Sequence, residues 1–411
     1  MSLPKTAYVL LWFPKPSETF IFREVVNLRR MGLPLKVFTL YGELTRGLSE
    51  EMREAASGVE RLGIGFLKSV IGDIRFWRRR EPRLVSKLLR SVPVRRWNGL
   101  EKGGENVWAF LCAFRLARRF EDEGIRHIHA PWASGPATAA WIASRLTGIP
   151  FSFTSRAWDI YPADGALGEK IRDAVFVRSE TGSNIPYLAG FCEGSERKIH
   201  LTYNGVPLAQ HSEAPVPMQP PFRLLAIGRF VGKKGYDYLL HACRILADRG
   251  LDFRLTLAGD GPRRVQLKGL VRKLRLNELV TFPGFVSYDR VPGLFLSSDI
   301  LIMPSVVHSS GDRDGIPTVI MESLMHRVPV IATDVSGIAE VIENDGTGLL
   351  IPEKDPEAIA IAVLKMVEDR DRALAMAERG RAKVREMFDP ERCHTKVLKL
   401  YQDLVPVSAD R

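Results

Sequence analysis

The sequence predicts an α/β protein in two halves, each built on a parallel sheet. Short apolar runs of strand type recur along the chain, separated by stretches in which apolar residues fall at helical spacing. The clearest unit runs from Asp299–Pro304 (DILIMP) through an amphipathic stretch to Val328–Thr333 (VPVIAT), the strand, crossover helix and strand that parallel pairing requires. Between the halves lies Val206 to Pro221, sixteen residues of which five are proline, the composition of a domain boundary. The expected domains are residues 1–205 and 222–388, joined by a linker over 206–221.

Composition fits this. The 411 residues suffice for two or three full-sized cores. With 45% hydrophobic and 26% charged residues, the chain is ordinary for a globular protein and has no apolar run of membrane-spanning length. The opening is apolar only from Ala7 to Phe13 and lacks a small-residue cleavage site, so it reads as a first buried strand rather than a signal peptide. Cys112, Cys192, Cys243 and Cys393 are scattered without paired spacing, which points to neither zinc nor a disulfide framework and suits a reducing cytosol. The net charge of +11 calls for an acidic partner.

In the first half, Ala7–Phe13 leads through Pro14–Thr19 into a helix in which Phe20, Ile21, Val25, Leu28 and Met31 share a face. Further strands are expected at Leu35–Leu40, Ile125–Ala130, Ile149–Thr154 and Ala174–Ser179. Open parallel sheets bind ligands outside the carboxyl ends of their strands, so Ser17, Glu18, Thr19, Trp132, Arg156, Asp159 and Glu180 should line one rim. His127 and His129 share a strand face but have no third ligand nearby in sequence, which favours a structural or substrate-contacting role over a metal.

Residues 68–102 hold eleven Lys or Arg against three acids. Phe66, Leu67, Val70, Ile71, Ile74 and Trp77 make an apolar stripe beside Arg75 and Arg78–Arg80. Two readings stand side by side: a basic amphipathic helix for an anionic membrane surface, or an excursion packed on the domain with a solvated basic face. Nucleic acid ranks behind both, because no recognised binding module accompanies the charge.

In the second half, after a strand-like Ile199–Thr202, Phe222–Ile227 ends in Gly228-Arg229 and continues to Lys234-Gly235 before a helix near Tyr236. Phe253–Ala258 runs into Gly259-Asp260-Gly261-Pro262, and Leu279–Phe282 into Pro283-Gly284. The remaining loop, Ser310–Arg327, is the focal stretch. Gly315 loosens the backbone and Pro317 suits the first helical position. Amide hydrogens around Thr318 and Val319 then point into the loop with the positive end of the helix dipole, a site for phosphate. Glu322 leans back toward it, placed to accept hydrogen bonds from neighbouring hydroxyls. Phosphate beside hydroxyls suggests a nucleotide.

These residues resemble a glycosyltransferase family 4 enzyme over nearly the whole chain. The second half is similar to the family's nucleotide-sugar domain through Gly228-Arg229 with Lys234-Gly235, Gly259-Asp260-Gly261-Pro262, Asp314-Gly315-Ile316-Pro317 with Glu322, Pro329–Thr333 and Gly337–Glu340. The first half resembles the exopolysaccharide and lipopolysaccharide branch through Pro16–Phe20, Phe153–Tyr161, Arg178-Ser179-Glu180 and Asn204-Gly205-Val206. The resemblance implies a GT-B fold, two Rossmann-like doubly wound domains facing across a cleft, with a helix from Asp389-Pro390 (389–411) returning to the first. It also implies a retaining hexosyl transfer from a nucleotide sugar to a glycan or lipid-linked acceptor. Arg229 and Lys234 would meet the phosphates, Glu322 the ribose and Asp314 the transferred sugar.

Two residues depart from the family pattern. Asp314 stands where glutamate is usual, and Arg156 replaces a histidine. Arginine is a permanent cation without imidazole's proton chemistry, so Arg156 calls for an anion, either the nucleotide's diphosphate or an acidic acceptor. Asp312-Arg313-Asp314 also spells a metal-binding D-x-D. The spacing to Pro317 and Glu322 already accounts for Asp314, and nearby cations would supply a metal's charge, so no metal cofactor is expected. The location implied is cytoplasmic, peripheral on the inner membrane face if residues 68–102 bind lipid. Competing readings are an inactive sugar-nucleotide-binding scaffold and a nucleotide-sugar epimerase on the same fold.

Overall fold

In the computed structural model, which describes residues 3–44, 47–93, 95, 97, 99–208 and 218–405, the chain divides into Met1–Gly205 with Glu391–Arg411, and Val206–Pro390. Most of the expected linker, 209–217, lies outside the described residues, as do 94, 96 and 98 of the basic segment and the final 406–411.

The first unit contains β1 (Thr6–Leu10), β2 (Leu35–Thr39), β3 (Glu60–Arg61), β4 (His127–Ala130), β5 (Phe151–Ser155), β6 (Val177–Ser179) and β7 (Ile199–Leu201). They form one parallel sheet in the order β3-β2-β1-β4-β5-β6-β7. Apolar clusters cover both faces, one around Trp77, Phe114 and Trp141, the other around Tyr8, Phe22, Phe176 and Tyr401. Each such large side chain contributes about 1.5–3 kcal/mol by leaving water. The final helix, Pro390–Leu404, packs its Val397 and Tyr401 into the second cluster.

The second unit has β8 (Phe222–Ile227), β9 (Phe253–Ala258), β10 (Val280–Gly284), β11 (Ile300–Met303), β12 (Val330–Thr333) and β13 (Leu349–Ile351). Their order, β10-β9-β8-β11-β12-β13, reverses direction between β8 and β11, the topological switch point at which doubly wound sheets open a crevice. One of its helices starts with an ordinary cap: the Asp355 side chain accepts from the Ala358 amide at 2.9 Å, with Pro356 next to it.

Several expectations need correction. The first strand stops at Leu10 rather than Phe13. Pro317 is the residue before the helix Thr318–Met325, not its first helical residue, because its ψ of 122° is extended. The apolar stripe of the basic segment is split between two faces. Phe66 and Trp77 are buried, with the Trp77 indole donating to the Phe114 carbonyl at 3.0 Å, and Val70 and Ile74 pack on the same core. Leu67 and Ile71 turn outward.

Candidate functional site

The second unit gathers its charged residues where β8 and β11 end. Gly235, with φ of 63°, follows the turn Gly232–Lys234; a Cβ there would lie 1.9 Å from the Pro304 carbonyl oxygen, so only glycine lets the two loops approach. Gly259 is under the same constraint against the Gly228 carbonyl, at 2.0 Å. The Val306 amide donates to the Lys233 carbonyl at 2.8 Å, closing the two loops onto each other.

This closure brings Lys234 Nζ to 2.8 Å from Asp314 Oδ2, and Lys233 Nζ to 3.7 Å from Oδ1. The Ser305 hydroxyl donates to Asp314 Oδ2 at 2.6 Å, while Thr333 Oγ1 donates to the Ser305 carbonyl at 2.5 Å. Burial pushes the Asp314 pKa up, but the Lys234 and Lys233 ammoniums more than reverse this and hold it below the usual carboxylate value. Lys233 also reaches Asp312 at 3.0 Å, so both carboxylates of the D-x-D pattern are held by lysines. Among the described residues, no group of three His, Cys, Asp or Glu side chains stands together as a metal-ligand set.

Other expected residues lie on the neighbouring strand ends and loops. Arg229 is exposed at the end of β8. Gly315 and Ile316 lead from Asp314 to Pro317; Thr318, Val319 and Glu322, all partly buried, open the short helix beyond. Gly228, Gly259 and Gly284 close three neighbouring strands, and the Gly259 amide donates to the Gly284 carbonyl at 2.8 Å. Lys233 and Ser305 were not singled out by sequence. Their signals were adjacency to Lys234 and a position just past the carboxyl end of β11.

In the first unit, Arg156 is buried, its guanidinium 4.3 Å from the Phe20 ring centroid and 5.1 Å from that of Trp132. Arg156 Nε donates to the Pro131 carbonyl at 3.0 Å, and Nη1 lies against the Glu180 carboxylate. Glu180 thus supplies an anion to Arg156 from within the protein. Burial lowers the Arg156 pKa to about 10, still a cation at neutral pH. Trp132 Nε1 donates to Glu18 at 3.3 Å, and Lys15 pairs with Glu18 at 2.6 Å.

Asp159 does not face a rim. It is buried, accepts the amides of Ala133 at 2.7 Å and Arg156 at 3.0 Å, and has its pKa raised by burial. Ser17 is exposed and Thr19 half-buried at the helix start, outside this cluster. His127 and His129 are sheet-internal. They share the Ser152 hydroxyl at 2.7 Å each, and burial holds His127 neutral with its pKa down to about 3.

The family model described as glycosyl transferases group 1 matches residues 210–383. The GDP-mannose-dependent alpha-(1-6)-phosphatidylinositol monomannoside mannosyltransferase of Mycobacterium tuberculosis is 32% identical over 275 residues, 62% of this chain and 70% of that protein. The chain belongs to the glycosyl transferases group 1 family. Within this family it is also similar to the amylovoran biosynthesis glycosyltransferase AmsK of Erwinia amylovora, 30% identical over 208 residues, 50% of this chain and 51% of AmsK. The chain thus spans about half the length of AmsK. Anabaena Alr3699/HepE, solved in complex with UDP and glucose, superposes with a TM-score of 0.73 at 16% identity, covering 98% of this chain and 100% of HepE. The two doubly wound sheets are those of the GT-B fold.

Proposed function

We propose that this group 1 glycosyltransferase moves a hexose from a nucleotide sugar to a glycan or lipid-linked acceptor, with retention of anomeric configuration, in building a surface polysaccharide. The observation that carries this reading is the Lys234–Asp314 pair at the switch point of the second sheet. The diphosphate would take Asp314's place on Lys234, with Lys233, Arg229 and the amides of Thr318 and Val319 adding positive potential. Asp314, released, would turn to the sugar, and Glu322 would hold the ribose. As the bond from the anomeric carbon to the diphosphate breaks, the acceptor oxygen bonds to that carbon from the same face, and its proton passes to the departing phosphate. The lysines supply the charge a metal would bring. UDP in HepE and the biosynthetic role in AmsK's name support the donor and the product class.

Transfer assays over a panel of UDP- and GDP-sugars, with the product anomer read by NMR, test this. Lys234→Ala should lower turnover by about 10²–10³-fold, and activity should survive EDTA. An inverted product, a loss under tenfold in a folded variant, or complete loss in EDTA restored by manganese would each overturn a part of it.

We also propose that the protein works on the inner leaflet of a membrane from the cytoplasm. Among the described residues no helix is long and apolar enough to cross one. The helix Leu67–Arg80 instead presents outward Leu67 (43% exposed), Ile71 (62%) and Phe76 (38%), with Ile64 (80%) just before it. Lys68, Arg75, Arg78 and Arg79 are exposed among them. Gly72, Arg75, Phe76, Arg79 and Arg80 line a shallow recess of about 500 Å³. Apolar residues set among cations complement an anionic bilayer. Sedimentation on phosphatidylglycerol but not phosphatidylcholine vesicles is expected. Neutralising Arg75, Arg78 and Arg79 should weaken it roughly a hundred-fold, since each cation near the surface is worth about 1 kcal/mol. Equal binding to both vesicle types, or none, would make this face a solvated one.

A further inference from the structure

Tyr236 opens the helix Tyr236–Asp248, directly after the Lys234-Gly235 turn. By helical spacing it belongs with the apolar Leu239, Leu240 and Cys243 of the core face, and its ring packs edge-on to Phe230 at 5.7 Å. Its hydroxyl does not fit that role. The residue is 2% exposed, and the phenolic oxygen has no hydrogen-bond partner among the described residues, an arrangement that costs free energy and is retained only for a reason.

The oxygen has a definite position. It lies 2.7 Å from the point where residue 228 would carry a Cβ, and Lys234 Cε lies 3.3 Å from the same point. The glycine at 228 therefore makes room for a hydroxyl and an ammonium arm that converge at the carboxyl end of β8. Burial raises the phenol's pKa, and the nearby Asp314 carboxylate raises it further, so the group is a neutral O–H throughout the physiological range. It lies beside the Lys234–Asp314–Ser305 cluster, which has hydrogen bonds of its own.

We infer that the Tyr236 hydroxyl is a hydrogen-bond donor of the nucleotide-sugar site, reading the diphosphate alongside Lys234. This rests on the nucleotide-sugar reading above. A buried O–H with no partner in the resting protein gains one when a phosphate oxygen displaces Asp314 from Lys234. It serves as a positioning and specificity group for the diphosphate, and it adds no net charge.

Calorimetric titration of UDP, GDP, UMP and GMP into wild type and Tyr236→Phe tests it, alongside thermal melting of both free proteins. Phenylalanine keeps the ring and removes only the oxygen. The expected result is a roughly tenfold loss of affinity for whichever diphosphate the wild type binds, as for one hydrogen bond to a charged group. The matching monophosphate should be unaffected, and the melting temperature unchanged or higher. Unchanged diphosphate affinity, an equal loss for the monophosphate, or a lower melting temperature would each overturn the assignment, the last by making the hydroxyl a brace of the fold. If the wild type binds neither diphosphate, the nucleotide-sugar reading falls and this inference with it.

Discussion

Glu24–Arg178 in the first unit and Lys234–Asp314 in the second are both buried ion pairs, built to opposite specifications. Arg178 gives Nη1 and Nη2 to the two Glu24 oxygens at 2.9 Å each and Nε to Thr202 Oγ1 at 2.9 Å. Tyr8 donates to Glu24 at 3.0 Å and meets Tyr401 of the final helix at 2.9 Å. Burial alone would raise the Glu24 pKa, but the bidentate arginine drives it far below the usual value. Lys234 gives Asp314 one hydrogen bond at 2.8 Å beside that of Ser305 at 2.6 Å, between side chains still 12% and 9% exposed, with the Tyr236 hydroxyl, partnerless among the described residues, nearby. The first pair, with its bonds complete, holds the fold; the second, at the sheet's switch point, is the one that exchanges partners on the proposed function.

The largest expected effect falls on the closed pair. Glu24→Ala strands the Arg178 guanidinium and should cost about 3–5 kcal/mol of unfolding free energy in urea titration. Because the folded Glu24 pKa is depressed, its contribution is present above the ordinary glutamate pKa of about 4.3 and is lost as pH falls toward the folded value. A cost under about 1 kcal/mol would break the contrast. Lys234→Ala comes next, with an effect of similar size on the transition state, about 2.7–4 kcal/mol, and little on folding.

What could be read from the sequence follows the same divide. Strands announced themselves as apolar runs, Arg229 and Lys234 were singled out because strand ends carry ligands in such sheets, and Asp314 was singled out through the family resemblance. β3 is two residues long and polar, Glu60–Arg61, too short for any period. The helix Gly135–Thr147 is buried on nearly every side, so it has no polar face to reveal its spacing. Tyr236 hid as one more apolar position of a core stripe, and Glu24 sat unnoticed between Ile21 and Val25 on a buried face. Arg156 and Glu180 were placed on one rim, but their direct pairing across 24 residues of sequence shows only once β5 and β6 pair. Trp77 and Ile71 read as one apolar stripe whose direction the pattern left open between membrane and core; Trp77 fills the core and Ile71 turns outward.

On the proposed function Asp314 occupies Lys234 only until a diphosphate replaces it, a claim that Asp314→Asn puts at risk. Nucleoside diphosphate affinity by calorimetry and turnover on the matching nucleotide sugar should part company. With the competing carboxylate neutralised, the diphosphate should bind as tightly as to wild type or several-fold tighter, while turnover falls by about 10²-fold, the lower end for loss of one transition-state contact. Unfolding free energy should change by no more than about 1 kcal/mol. Diphosphate affinity lowered tenfold or more in a folded protein would contradict the claim, making Lys234–Asp314 a fixed scaffold of the kind that Glu24 and Arg178 form.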